Sequence, residues 1–183
     1  MTPRARALSG VLLAAALTAS ACARRGGPPP RFPGAIAPPA RPAGAPPVPP
    51  SEPAADAGAA RLIATDALML QGSPYRNGGT TPDGFDCSGL VQYVFGRHGI
   101  SLPRSVRDQF AAGQAVARDA LAAGDLVFFT TVSAGASHVG IVVEQDWFVH
   151  APSERGVVRL DRLSATYWTQ RYVGARRVVG GRR

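Results

Sequence analysis

The 183 residues suffice for one well-packed domain, yet 12 of the 17 prolines fall between Pro28 and Pro53, which excludes that stretch from it. The formal charge of +8 invites a nucleic-acid reading, but residues 60–175 carry ten Arg against ten Asp and Glu. The excess sits in the leader, the proline-rich stretch and the C-terminal Arg176, Arg177, Arg182 and Arg183, so the domain lacks the basic face that nucleic acid requires and no such partner is expected.

At the N-terminus, Arg4 and Arg6 precede an apolar run from Leu8 to Ala19, too short to span a bilayer and suited to the core of a signal peptide over 1–21. Ala19-Ser20-Ala21 then lead into Cys22. This junction resembles the lipobox of bacterial lipoproteins, with Ala19 standing where Leu is usual, and implies lipidation of Cys22 as the mature N-terminus. The alternative is ordinary secretion, with Cys22 unmodified. A lipidated Cys22 cannot pair with Cys87, the only other cysteine, and leaves Cys87 free in an oxidising compartment. From residue 22 to 56 the chain is Pro, Ala, Gly and Arg with few large apolar residues, too little to offset the entropy of ordering it. It reads as a disordered tether with a reach on the order of 100 Å at most. The lipoprotein resemblance implies attachment to a membrane through Cys22, at the periplasmic face of the cell envelope. Ala23 follows where Asp would retain a lipoprotein at an inner membrane, which favours the outer membrane in a cell that has two.

The folded domain is expected over 57–180, with 181–183 a basic tail. Ala59, Leu62, Ile63, Ala67 and Leu70 recur at helical spacing up to Gly72 and Pro74. After a glycine-rich loop, Cys87, Leu90, Val91, Val94, Phe95 and His98 fall at i, i+3, i+4, i+7, i+8 and i+11, a second helix headed by Cys87 and ending at Gly99. His98, at its C-terminal end, reads as a capping group. Ser105 followed by Asp108 predicts a capped short helix through Phe110. Strands are expected at Leu126–Thr130, Val139–Val143, Trp147–His150, Val157–Leu160 and Tyr172–Val179, which makes the fold class α+β, helices first and an antiparallel sheet second.

Cys87 and two histidines carry the chemistry. A thiol in the first turn of a helix meets free N–H groups and the positive end of the dipole, which favour the thiolate. Glu144-Gln145-Asp146 predicts a three-residue hairpin connection. Pairing Val143 with Trp147 sets Gly140 opposite His150 and brings His138 diagonal to His150 on one sheet face, about 7–8 Å apart at Cα, with room for a ring beside Gly140. A one-residue slip would part them. A thiol, an imidazole to take its proton and a second group to orient that imidazole suit acyl transfer. Spacing alone leaves open a buried, inert Cys87 and a Zn²⁺ site of one Cys and two His, although no Cys-x-x-Cys or His-x-x-x-His pair accompanies them.

Six segments in order narrow the choice: Pro74-Tyr75-Arg76-Asn77-Gly78-Gly79, Phe85-Asp86-Cys87-Ser88-Gly89-Leu90-Val91-Gln92-Tyr93-Val94, Leu102-Pro103-Arg104, Gly124-Asp125-Leu126-Val127-Phe128-Phe129, Ser137-His138-Val139-Gly140-Ile141-Val142 and Phe148-Val149-His150-Ala151. Over about residues 58–178 the chain resembles the NlpC/P60 family of papain-like cell-wall cysteine peptidases, in its single-domain lipoprotein branch. The resemblance implies Cys87 as nucleophile, His138 as general base and acid, and His150 as the residue that orients His138. It also implies Tyr75 as a contributor to the oxyanion site, and Asp86 and Ser88 as shaping the pocket for a peptidoglycan stem peptide. The implied activity is hydrolysis of amide bonds in stem peptides or crosslinks through a thioester, by a monomer with no cofactor or metal. Crosslinks between D-alanine and diaminopimelate are favoured over the bond between γ-D-glutamate and the diamino acid. An amidase or acyltransferase on another substrate, or a peptidoglycan-binding protein without turnover, are the alternatives.

Overall fold

The computed structural model describes residues 52–153 and 156–180. The expected signal peptide, the lipidated Cys22, the tether up to residue 51 and the 181–183 tail lie outside the described residues. Helix α1 spans Glu52–Met69 and so starts inside the stretch expected to be tether, ahead of the boundary at 57. Residues 54–60 are mostly alanine, the strongest helix former, and Pro53 falls in the first turn, where a missing N–H leaves no helical bond unmade. Ile63, Ala64 and Ala67 face the core, whereas Leu62, expected on that face, is exposed.

Helix α2 spans Cys87–Arg97, capped at its start by Asp86, whose side chain accepts from the Gly89 N–H. It ends in a Schellman motif: Gly99 N–H bonds Gly96 C=O, Ile100 N–H bonds Phe95 C=O, and Gly99 takes the left-handed φ of +73° that the turn demands. His98 is the C-cap residue, and its Nε2 lies 3.1 Å from Asp66 Oδ2 on α1. In α3, Val106–Ala111, Ser105 Oγ accepts from Asp108 N–H at 3.1 Å and donates to Asp108 Oδ2 at 2.7 Å, so the expected cap forms.

A two-stranded ribbon, β1 (Thr80–Thr81) and β2 (Gly84–Phe85), precedes α2. The main sheet holds β3 (Gln114–Val116), β4 (Leu126–Phe129), β5 (His138–Glu144), β6 (Trp147–His150), β7 (Arg159–Arg162) and β8 (Tyr172–Arg177), in the spatial order β3-β8-β4-β5-β6-β7 with every pair antiparallel. Alternate residues of β4 and β5 face opposite ways. Leu126, Phe128, Val139 and Ile141 pack with Ile63, Leu90, Val94 and Phe95 of the two long helices. On the other face Val127, Phe129 and Val142 pack with Phe148, Leu163 and Trp168, the last from the short helix α4, Thr166–Thr169. Because both faces are covered, β4 reads as an unbroken apolar run rather than an alternating one. Among the described residues no helix is long and apolar enough to cross a membrane.

The β5–β6 register is the predicted one in its body: Ile141 pairs with Val149 and Val142 with Phe148, which sets Gly140 opposite His150. The connection differs, because a bulge at Val143 lets Glu144 pair with Trp147 and leaves a two-residue turn, Gln145-Asp146. A Cβ on Gly140 would sit 2.5 Å from Phe148 Cδ2 and 3.2 Å from His150 Cβ, so the glycine makes the room that the rings need. Strand β7 begins two residues later than expected. Val158 N–H bonds Ser73 C=O at 2.8 Å and Val157 bridges Pro74, so these two valines pair with the loop after α1 before the β6 ladder starts at Arg159.

Candidate active site

The loop before α2 and the first turn of that helix are tied into one piece by Asp86. Its Oδ1 accepts from Gly89 N–H at 2.7 Å and its Oδ2 from Gly78 N–H at 3.0 Å. Arg104 grips both oxygens, Nη1 to Oδ1 at 3.0 Å and Nη2 to Oδ2 at 2.5 Å, and Nη1 also donates to Ser88 Oγ at 2.7 Å. Burial alone would raise the Asp86 pKa; the Arg104 bonds and the two backbone donors outweigh it and hold the carboxyl below its usual range. Asp86 and Ser88 therefore meet a third side chain, Arg104, 18 and 16 residues away in sequence. Tyr75, on the loop that bridges β2, has its pKa raised by burial and further by the Asp86 charge and by Cys87 whenever that thiol ionises.

Cys87 heads α2 and packs against the apolar cluster that holds Val139, the residue after His138 on β5. The helix start was expected to favour the thiolate. The structure reverses this: burial pushes the thiol pKa up, the Asp86 charge pushes it further, and the N–H groups of Val139 and Ser88 only partly offset them. His138, 7% exposed, is the first residue of β5, and burial with the neighbouring His150 lowers its pKa to about 3. Thiol and imidazole are both neutral at rest.

His138 Nε2 lies 2.8 Å from His150 Nδ1, the rings nearly perpendicular. Fully buried His150 is in turn 3.1 Å from Asp161 Oδ2 through its Nε2. That oxygen also accepts from Arg159 Nη2 at 2.8 Å and from Trp168 Nε1 at 3.0 Å, and the Trp168 ring stacks on His138 with centroids 5.5 Å apart. Asp161, Arg159 and Trp168 are the site residues that sequence reasoning missed. The available signal was strand alternation: Asp161 stands opposite Phe148 on β7, two positions from the partner of His150, and the expected strand ended one residue short of it.

Beside His138 a groove of about 380 Å³ runs between Val132, Arg159, Asp161, Tyr167 and Trp168. A larger cavity of about 840 Å³, between α1 and the β5–β6 turn, contains none of the candidate residues. Among the described residues no three His, Cys, Asp or Glu side chains are grouped to hold a metal ion. Cys22 lies outside the described residues.

An α+β fold that packs a cysteine-headed helix against the strand carrying one member of a hydrogen-bonded histidine pair is a papain-like arrangement. The NlpC/P60 family model matches residues 72–177, and the chain belongs to that family. Among curated relatives, it is 44% identical over 110 residues to the murein DD-endopeptidase MepS/murein LD-carboxypeptidase of Escherichia coli K12, covering 60% of this chain and 57% of that protein. It is 39% identical over 122 residues to the gamma-DL-glutamyl hydrolase of Bacillus subtilis, covering 64% of this chain and 30% of that protein. The chain thus spans about a third to just over half of these relatives. A crystal structure from Staphylococcus aureus, described as similar to a lipoprotein of the NLP/P60 family, superposes with a TM-score of 0.60 at 39% identity, covering 67% of this chain and 42% of that one.

Proposed function

We propose that the domain is a peptidoglycan endopeptidase that cleaves amide bonds of stem peptides or their crosslinks through a thioester on Cys87. The observation that carries the reading is the hydrogen-bonded His138–His150 pair joining the start of β5 to the end of β6, with Cys87 packed against the apolar cluster that holds the next residue, Val139. The relative named a murein endopeptidase supports the substrate class. In the first step Cys87 sulfur bonds the scissile carbonyl carbon while its proton passes to His138. The carbonyl oxygen becomes an oxyanion, stabilised by the Cys87 N–H and the Tyr75 hydroxyl. His138 then protonates the leaving amine as the C–N bond breaks, which leaves the thioester. A water molecule, deprotonated by His138, attacks the thioester, and the carboxylic acid and the thiol are released. His150 orients His138, while Asp86 and Ser88, held by Arg104, shape the wall against which the stem peptide lies.

Of the two bonds, the crosslink between D-alanine and diaminopimelate is the one proposed, in keeping with the DD-endopeptidase name of the Escherichia coli relative. The second reading, the γ-D-glutamyl bond, is favoured by the name of the Bacillus subtilis relative. Digestion of purified crosslinked muropeptide dimers in the presence of EDTA, read by mass spectrometry, separates them. Intact tetrapeptide monomers are the expected product. Release of diaminopimelate-D-alanine with dipeptide stems left behind would establish the second reading, and no product of either kind would leave a binding protein.

The domain is further proposed to work from the periplasmic face of the cell envelope, as a monomer held by a lipid on Cys22. Several acyl chains hold a protein stably where one does so only marginally, so Cys22→Ala should move the protein from the membrane to the soluble fraction. Unchanged fractionation would remove the anchor from the proposal.

A further inference from the structure

We infer that Asp161 is a positioning residue that sets the tautomers of both histidines and leaves His138 Nδ1 as the free proton acceptor for Cys87. The inference rests on the cysteine-peptidase reading and adds to it a member that stands behind His150.

The argument runs through donors that have no alternative. Asp161 Oδ2 is met by Arg159 Nε at 3.2 Å, Arg159 Nη2 at 2.8 Å, Trp168 Nε1 at 3.0 Å and His150 Nε2 at 3.1 Å. Guanidinium and indole nitrogens can only donate, so this oxygen must be an acceptor. His150 Nε2, turned to the same oxygen, must then carry a proton. His150 is fully buried, with the desolvation cost that burial imposes on a cation, and as a neutral ring its Nδ1 can only accept. His138 Nε2, 2.8 Å from that Nδ1, must therefore donate. The lone pair of His138 is left on Nδ1, the nitrogen not bonded to His150. Reversing either proton would put an N–H on Nδ1 and remove the base.

Asp161 is itself fixed by groups that answer to the same site. Arg159 is the partner of His150 across the β6–β7 ladder, and Trp168 stacks on His138 while its N–H holds Asp161. One carboxylate oxygen thereby sets proton positions two residues away, a role comparable to that of an outer-shell carboxylate on a ligand histidine.

The tautomers can be read without substrate. In ¹⁵N-labelled wild-type protein, long-range ¹H–¹⁵N spectra should show the Nε2–H form at both His138 and His150. An Nδ1–H form at either overturns the inference. In kinetics on crosslinked muropeptides, Asp161→Ala should lower kcat by about 10²–10³-fold with KM within a few-fold. Asp161→Asn, which keeps an acceptor oxygen without the charge, should recover part of that loss. Wild-type kcat in a folded Asp161→Ala protein overturns the inference, and if that variant does not fold, the wild-type spectra still decide. Inactivity of the wild-type protein on every muropeptide would instead overturn the peptidase reading, since the spectra do not depend on turnover.

Discussion

Cys87→Ala should remove turnover, by on the order of 10⁴-fold or more, and leave the fold in place. In the proposed mechanism the Cys87 thiol forms the covalent intermediate, and an oxyanion site with no attacking atom has nothing to stabilise. The substitution is small in structural terms. Cys87 is half-buried at the head of α2, and the Asp86 cap, the Arg104 bonds and the apolar face of Leu90, Val94 and Phe95 do not involve its sulfur. Thermal unfolding of the variant should therefore fall within a few degrees of wild type while release of muropeptide products stops. Full activity in folded Cys87→Ala protein would end the cysteine-peptidase reading.

Acid should destabilise the domain through its buried histidines. His138 titrates at about 3 when folded, because burial and His150 disfavour its cation, whereas a free imidazole titrates near 6.5. As pH falls through 6.5 the unfolded chain takes up the proton and the folded one does not. Stability is therefore fully present above about 6.5 and is lost as pH falls toward 3, at up to about 1.4 kcal/mol per unit from this one group. His150, also depressed by burial, acts in the same direction. Asp161 follows at lower pH. Burial raises its pKa, but its bonds to His150, Arg159 and Trp168 hold it below the usual range, so its contribution is present above about 4 and disappears below. Denaturant midpoints measured between pH 7.5 and 4 should fall steadily in wild type and more gently in His138→Phe. A flat wild-type profile would show that His138 does not enter the folded state neutral and buried.

The pieces of the site legible in the chain were those set by local rules. Helical periodicity placed Cys87 at the head of α2, and strand alternation with a short turn brought His138 and His150 onto one face, even though the turn itself is one residue tighter than expected. What escaped depended on tertiary pairing. Val157 and Val158 have the β-branched character of a strand start, but Ser73 and Pro74 claim their backbone, and the ladder that carries Asp161 slides along accordingly. Arg104 meets Asp86 across 18 residues, a distance at which no periodicity speaks. The early start of α1 reflects alanine propensity overriding a proline-rich context. The state of the thiol was misjudged for a related reason: the helix dipole can be read from position, whereas burial and the Asp86 charge exist only once the fold is closed.

That neutral thiol bears on endurance. Oxidation by peroxide proceeds through the thiolate, so a thiol whose pKa is raised by burial and by the Asp86 charge is oxidised more slowly than one held ionised. In the oxidising compartment proposed for the domain, the same Asp86 carboxylate that caps the helix would also help keep the waiting thiol protonated.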